Sequence, residues 1–216
     1  MLNLSNVELI IIDCINVQRA VDTLKICTAN IKFKNVKLLS HIIIEENFFD
    51  SIFINQITSI EQYSDFCLKL NDYTDSDYVL LVQNDGFILN SNLWSNDFFN
   101  YDYIGAPWYQ TKICGQKVGN GGFSLRSKKF LEFSSKFDTT NGMPEDNFLC
   151  LDNYKDAIDF GIKFASPKIA SLFAYEYRNQ FYTNFDPQKH FGFHGKENVK
   201  VAHKYILKKE TQSIEI

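Results

Sequence analysis

The chain has 216 residues, a formal charge of −4 at pH 7, and 45% hydrophobic against 22% charged residues. These values describe one globular domain able to bury a full core without disulfides or metals. They exclude a protein whose main partner is a nucleic-acid backbone, which would need a basic surface.

In chain order, Val7 to Ile12 is a β-branched and leucine run broken only by Glu8 and ending at Asp13, the pattern of a buried parallel strand. No basic segment precedes this run and Asp13 interrupts it, so a secretory leader is not expected. Val17, Ala20, Val21 and Leu24 follow at helical spacing, with Asn16 as the expected N-cap. Residues 36–44 return to a strand, which makes a β-α-β opening. Ile60, Tyr63, Phe66, Cys67 and Leu70 repeat the helical spacing over 59–72, and residues 78–82 form a second fully apolar strand. That strand stops in Gln83-Asn84-Asp85-Gly86. Polar residues at the C-terminal end of a buried parallel strand sit where open α/β sheets bind ligands.

Residues 87–117 are aromatic and irregular, and an edge strand with core aromatics is expected around Tyr103-Ile104-Gly105-Ala106-Pro107-Trp108. Gly119, Gly121 and Gly122 then leave the backbone bare just before Phe123-Ser124-Leu125-Arg126, an apolar/polar alternation that reads as a strand. A helix is expected over 127–137, a loop through Asn141-Gly142, and a second helix from Pro144, since proline suits the first helical position. Residues 161–165 read as a late strand closed by Pro167. Beyond residue 180 periodicity fades, and Phe191-Gly192-Phe193-His194-Gly195 stands out. The basic stretch from Lys204 to Lys209 is interleaved with Tyr205, Ile206 and Leu207 and reads as a helix face with solvated lysines.

No apolar stretch approaches the ~20 residues of a membrane span. Cys14, Cys27, Cys67, Cys114 and Cys150 are odd in number and lack CxxC spacing. They are expected as small apolar core residues in a reducing cytoplasm, and a zinc site is not expected. Of twenty phenylalanines and eleven tyrosines, part is expected as core and part as stacking surface.

Five features carry chemistry, each beside a plainer reading. Asp85 is either a turn residue or the ligand of a hard cation, because magnesium or manganese held with a diphosphate needs only one or two carboxylates. Glu145 and Asp146 are either acids favoured at a helix N-terminus or a pair in which one carboxylate takes a proton from a sugar hydroxyl. His194 lies between glycines that let the backbone present its imidazole to a metal or a phosphate; otherwise it is structural. Trp108 is either core or a stacking wall for a base or sugar. Arg126 is either an exposed strand residue or a partner for a phosphate or for the acids. The glycine cluster Gly119-Asn120-Gly121-Gly122 precedes a strand rather than a helix, so it is not expected to bind phosphate through a helix dipole. The sequence contains no GxGxxG after the first strand and no GxxxxGK[ST], GxSxG or HExxH motif.

Taken in order, Gln83-Asn84-Asp85, Tyr101 to Trp108, Val118 to Arg126, Pro144-Glu145-Asp146 and Phe191 to Gly195 resemble an uncharacterised family of GT-A-like bacterial and viral glycosyltransferase domains. More distantly they are similar to the β-1,4-galactosyltransferases. The resemblance covers residues 78–195. It implies an α/β, Rossmann-type mixed sheet flanked by helices, as a single domain over 1–195 with a helical, charged tail over 196–216. It implies a nucleotide-sugar donor, a glycan or other hydroxyl acceptor, and Mn2+ or Mg2+ on Asp85 and His194; inversion at the anomeric carbon is the leading expectation, with a retaining transferase left open because stereochemistry does not follow from these residues. Gly121 and Gly122 match the glycines against which a donor sugar lies, with Asn120, Trp108 and Arg126 as further donor or substrate contacts. Glu145 and Asp146 match the pair that binds and deprotonates the acceptor, with Asp146 as base. The acid-x-acid metal pattern is broken by Gln83 and Asn84. A catalytically weak or inactive nucleotide-sugar-binding module of the same fold is therefore the alternative.

Overall fold

A computed structural model describes residues 1–109 and 117–214, with side chains through residue 209. The elements are β1 (Leu2–Ile12), α1 (Val17–Thr28), β2 (Ile31–Ser40), β3 (Asp50–Phe53), α2 (Ile60–Leu68), β4 (Tyr78–Val82), β5 (Tyr103–Ile104), β6 (Phe123–Ser127) and α3 (Lys128–Ser134). They continue with α4 (Glu145–Asn147), α5 (Tyr154–Asp159), α6 (Pro167–Phe173), β7 (Ala174–Tyr175), β8 (Gly192–Phe193) and α7 (Lys196–Ile214). A six-stranded sheet runs β3-β2-β1-β4-β6-β5, and β7 and β8 form a separate parallel pair. The strands β3, β2, β1 and β4 are parallel, and β6 is antiparallel to β4 and β5.

The apolar runs of β4 and of residues 9–12 in β1 follow from helices covering both faces of the sheet. Leu9 and Ile11 point into the core beneath α1, while Ile10 and Ile12 point into the core beneath α2. Each such side chain contributes about 1.5–3 kcal/mol through burial. Much of the aromatic surplus is core: Phe87, Phe98, Phe123, Phe130, Phe173, Phe191 and Phe193 are fully buried. Cys14, Cys27, Cys67 and Cys150 are buried free thiols; Cys114 lies outside the described residues. Among the described residues no helix is long and apolar enough to cross a membrane.

Several local expectations need correcting. β2 starts at Ile31, because Lys32 and Lys34 alternate outward and mask the buried Ile31 and Phe33; it ends at Ser40, not Ile44. β1 starts at Leu2, and its pairing with β2 shifts register between Leu4 and Glu8. There the fully buried Glu8 takes Lys37 Nζ at 3.1 Å and Asn35 Nδ2 at 2.9 Å. The side chain of Asn16 caps nothing; Asp13 Oδ1 instead accepts the N–H groups of Ile15 and Asn16 at 2.7 and 2.6 Å. The helix from Pro144 is one turn followed by a wider π turn over Phe148–Asp152. Its cause is Asn153, whose backbone and side-chain N–H groups both donate to the Phe148 carbonyl, at 3.0 Å each. Residues 161–165 form no strand. Gly161, at φ +88°, ends α5, and the chain meets β5 only at the Tyr103–Phe164 bridge. Pro167 then opens α6, with Ser166 as N-cap.

β1 is flanked by β2 on one side and β4 on the other. The chain therefore leaves the C-terminal ends of β1 and β4 in different directions, and ligands of open α/β sheets bind in the crevice between such ends. Asp13 follows β1 and Gln83-Asn84-Asp85 follow β4.

Candidate active site

Two adjoining cavities open at these strand ends. One, of about 340 Å³, is lined by residues that include Asp13, Asn16, Thr58, Asp85 and Lys196. The other, of about 140 Å³, is lined by Asn120, Gly121, Gly122, Asp146, Glu176 and His194 among others. Ile60, Tyr63 and Gln83 line both, so they form one divided cleft. The sequence-predicted Asp85, His194, Gly121, Gly122, Asn120 and Asp146 thus converge although they are spread over more than a hundred positions.

The glycines are required by close approach. A Cβ on Gly122 would fall 2.2 Å from His194 Nε2, and one on Gly121 would fall 2.4 Å from Glu145 Oε1. Asn120 adopts φ +68° and accepts the Gly122 N–H on its side-chain oxygen at 3.1 Å. Its Nδ2 is buried in the cleft wall without a hydrogen-bond partner, which a native protein rarely leaves so. Asp146 is half-buried; Oδ2 accepts the Asn120 N–H at 3.1 Å and Oδ1 the Asn147 N–H at 2.9 Å.

Of the alternatives for Arg126, pairing with one of the acids is the one observed. Arg126 is not an exposed strand residue: it is 0% accessible and its guanidinium ion-pairs with Glu145, itself 4% accessible. Arg126 Nε also donates to Ser124 Oγ at 3.0 Å, and the Ser124 hydroxyl donates to the Gly121 carbonyl at 3.1 Å. Burial pushes the Glu145 carboxyl above its ordinary value despite the guanidinium beside it. Glu145 and Asp146 both line the smaller cavity; Glu145 is almost fully buried against Gly121, and Asp146, next in sequence, is the more exposed of the two.

His194 sits at the junction of the cavities. Its Nε2 lies 3.2 Å from Asp85 Oδ1 and 3.0 Å from Gln83 Oε1, and its Nδ1 lies 2.9 Å from Glu176 Oε1. Burial alone would depress the imidazole, but the bonds to Asp85 and Glu176 outweigh it and raise the pKa to about 9. Burial likewise pulls the Asp85 carboxyl upward, and the bond from His194 outweighs it, holding Asp85 below the ordinary range. With acceptors at both nitrogens, the ring is an imidazolium here.

A divalent ion in place of the Nε2 proton fits this donor set. A carboxylate on the opposite ring nitrogen is the arrangement that orients a metal-binding histidine. The separations of 3.0 and 3.2 Å suit neighbouring ligands on a small ion with bonds of about 2.1 Å. Among the described residues no group of three or more His, Cys, Asp or Glu side chains could hold a metal. The rest of such a shell would come from the Gln83 amide, phosphate oxygens and water.

Trp108 packs over Gly119, where a Cβ would meet its ring at 1.8 Å. It borders a small pocket with Tyr109, Asn179 and Gln180 rather than the main cleft.

Sequence reasoning passed over Asp13, Gln83 as a cleft residue, Tyr63, Glu176 and Lys196. Asp13 was within reach of the rule that singled out Asp85, since both end a buried parallel strand. Asp13 Oδ2 accepts from Asn84 Nδ2 at 2.5 Å and ties the two strand ends together. Glu176 carries no spacing signal; it is presented by the two-residue β7.

The structure is similar to the galactosyltransferase LgtC solved with donor and acceptor sugar analogues. Identity is 14%, the match covers 92% of this chain and 94% of that one, and the TM-score is 0.56. An active-site mutant of LgtC matches at 15% identity over 88% and 87% of the two chains, with a TM-score of 0.52. The apo form of the glycosyltransferase GlyE of Streptococcus pneumoniae TIGR4 matches at 14% identity over 92% of this chain and 59% of that one, with a TM-score of 0.51. No curated protein is a significant match to the sequence. These likenesses establish a GT-A-like glycosyltransferase fold: a mixed sheet flanked by helices in a single domain. A family model covers residues 45–194, and the chain belongs to that family, described as "Protein of unknown function (DUF5672)".

Proposed function

We propose that this protein is a nucleotide-sugar-dependent glycosyltransferase with Asp146 as general base. One observation carries the reading: Asp146, the glycine wall and His194 share a cleft that continues past Gln83 and Tyr63 to Asp85 and Asp13. The larger cavity receives the nucleotide and diphosphate, with Lys196 at its rim. The donor sugar lies against Gly121 and Gly122, where the unpartnered Asn120 amide supplies a hydrogen bond.

Asp146 takes the proton of the acceptor hydroxyl as its oxygen attacks the anomeric carbon. The bond from that carbon to the diphosphate oxygen breaks, and the diphosphate departs with the electron pair. Attack from the face opposite the leaving group inverts the anomeric centre. Asp85 and His194, oriented by Glu176, would hold Mn2+ or Mg2+, which supplies charge stabilisation to the departing diphosphate. Two backbone N–H groups keep the Asp146 carboxylate aimed. The reading includes a cytoplasmic location and a role in polysaccharide biosynthesis; the buried free thiols support the first and the sequence resemblance the second.

Gln83 in place of an acid favours a second reading, a module that binds nucleotide-sugars without turnover. A thermal-shift screen of UDP-, GDP-, dTDP- and CMP-sugars, with and without Mn2+, tests both. A ligand at a hundred times its dissociation constant adds about 2.7 kcal/mol of stability. No shift with any donor overturns both readings, and a shift with neither hydrolysis nor transfer leaves only the second.

A further inference from the structure

Beside the cleft lies a surface that the donor and the base do not use. Tyr109 is 53% exposed, and the Arg178 guanidinium sits 4.6 Å from the centre of its ring. Among the described residues Arg178 forms no ion pair or hydrogen bond, so its donors face solvent. Stacking on an aromatic face holds a guanidinium in one orientation.

The loop that presents Arg178 is built, not loose. Asn179 is buried; its side-chain oxygen accepts the N–H groups of Phe181 and Tyr182 at 2.9 and 3.1 Å, and its own N–H donates to the Tyr182 carbonyl at 2.8 Å. Arg178 and Gln180 project from that turn, and Gln180 lines the small pocket with Trp108 and Tyr109.

Both halves of this surface adjoin segments that build the cleft. Trp108 rests on Gly119, the neighbour of Asn120, whose N–H is bound by Asp146. Arg178 lies two residues beyond Glu176, the partner of His194. An aromatic ring and a guanidinium plane beside amide groups are the chemistry that grips a sugar ring, by stacking on its apolar face and hydrogen-bonding its rim.

We infer that Tyr109, Arg178 and Gln180, with Trp108 at the inner end, form an acceptor subsite that binds an oligosaccharide one ring or more beyond the reacting sugar. The inference takes its place in catalysis from the transferase reading above, but binding of the saccharide is measured without any donor. It makes the acceptor a glycan chain rather than a small alcohol.

The test is saturation-transfer NMR and titration of the protein with cellotetraose, maltotetraose, chitotetraose and the uronate-bearing hyaluronan tetrasaccharide. At least one of these binds, and Tyr109→Ala and Arg178→Ala each weaken it tenfold or more while Tyr109→Phe retains it. Thermal shifts by nucleotide-sugars stay as in the parent protein for all three variants, and equal melting temperatures without ligand verify folding. Preference for the uronate over the neutral chains assigns Arg178 to a carboxylate; equal binding assigns it to hydroxyls. If none of the four binds, or the alanine variants bind as the parent does, the subsite is overturned. Saccharide binding without any donor shift would instead overturn the transferase reading and leave the subsite standing.

Discussion

The backbone N–H of Asn120 donates to the Asp146 carboxylate across 3.1 Å, and this bond joins the glycine wall to the segment carrying the proposed base. Asn120 holds φ +68° there, a conformation that asparagine tolerates far better than most residues. Its side-chain oxygen returns to the Gly122 N–H. The wall, the base and the bend between them are therefore one hydrogen-bonded unit, braced by Arg126 and Glu145.

Asp146→Asn keeps the shape of this unit and removes the base. Transfer falls by about a hundredfold or more, in keeping with the 10²–10⁴ contribution of a positioned base. Nucleotide-sugar affinity, read by calorimetry, is unchanged. A variant that turned over at the parent rate would remove Asp146 from its role.

Glu176→Gln tests the orientation of His194. The carboxylate on Nδ1 fixes which nitrogen faces Asp85, and loss of such a partner lowers metal affinity by about 10–100-fold. The Mn2+ concentration that gives half-maximal donor binding rises accordingly. Asp85→Ala goes further and removes the metal dependence, so chelation by EDTA no longer changes donor affinity. Donor binding in the parent protein that ignores both Mn2+ and EDTA would count against the ion.

The fold was legible where burial is two-sided or periodic. The apolar runs of β1 and β4 announce themselves because a sheet covered on both faces leaves few polar positions, and the spacing in α1 and α2 because each helix buries only one face. The ends of elements were less legible. Glu8 and Lys37 form a buried pair inside strands, and Asn153 opens a π turn through a single carbonyl; neither leaves a local signature. At the site, glycines and strand-end acids could be read because each is chemically unusual in its place. For Arg126 the sequence left exposure and pairing with the acids both open, because strand alternation indicates an outward face, whereas this strand is covered on both sides and the arginine pairs with Glu145. Glu176 depends on a contact 18 residues away in sequence, which no pattern within its own segment encodes.

Gly122→Ala places a methyl group 2.2 Å from the His194 ring. Relief requires either the strand or the imidazole to move, and overpacking of this kind costs about 1–3 kcal/mol. The variant folds with a lower melting temperature and loses Mn2+-dependent donor binding. Retention of both would mean that the wall yields more easily than its contacts indicate.

Asp65 sets a pH dependence away from the chemistry. Its carboxylate accepts the Thr140 N–H at 2.7 Å and the hydroxyls of Thr139 and Thr140 at 3.0–3.3 Å, tying α2 to the loop before Pro144. The Thr140 backbone bond leads in holding its pKa below the ordinary aspartate range, with the hydroxyls adding to it against slight desolvation. A depressed folded pKa means that the unfolded state binds the proton first as pH falls. The contribution is complete above the unfolded value and disappears as pH drops through the folded one. Asp65→Asn is therefore less stable than the parent at neutral pH, and the difference in melting temperature narrows below pH ~4.

Arg126 and Glu145 give the sharpest test of structural against catalytic roles. Removing one member of a buried ion pair strands the other charge and costs about 3–5 kcal/mol, whereas replacing both with apolar groups is often neutral. Arg126→Met and Glu145→Leu each lower stability strongly, and the double variant recovers most of the loss, as denaturant unfolding would measure. Because the pair also holds the Gly121 carbonyl through Ser124, the double variant lets the glycine wall drift. It loses transfer activity through a raised donor KM, not through a change in the pH profile. A double variant that kept the parent KM but lost kcat would instead return Glu145 to the reacting groups, because a carboxylate that serves only as a brace has no means of acting on the chemical step alone.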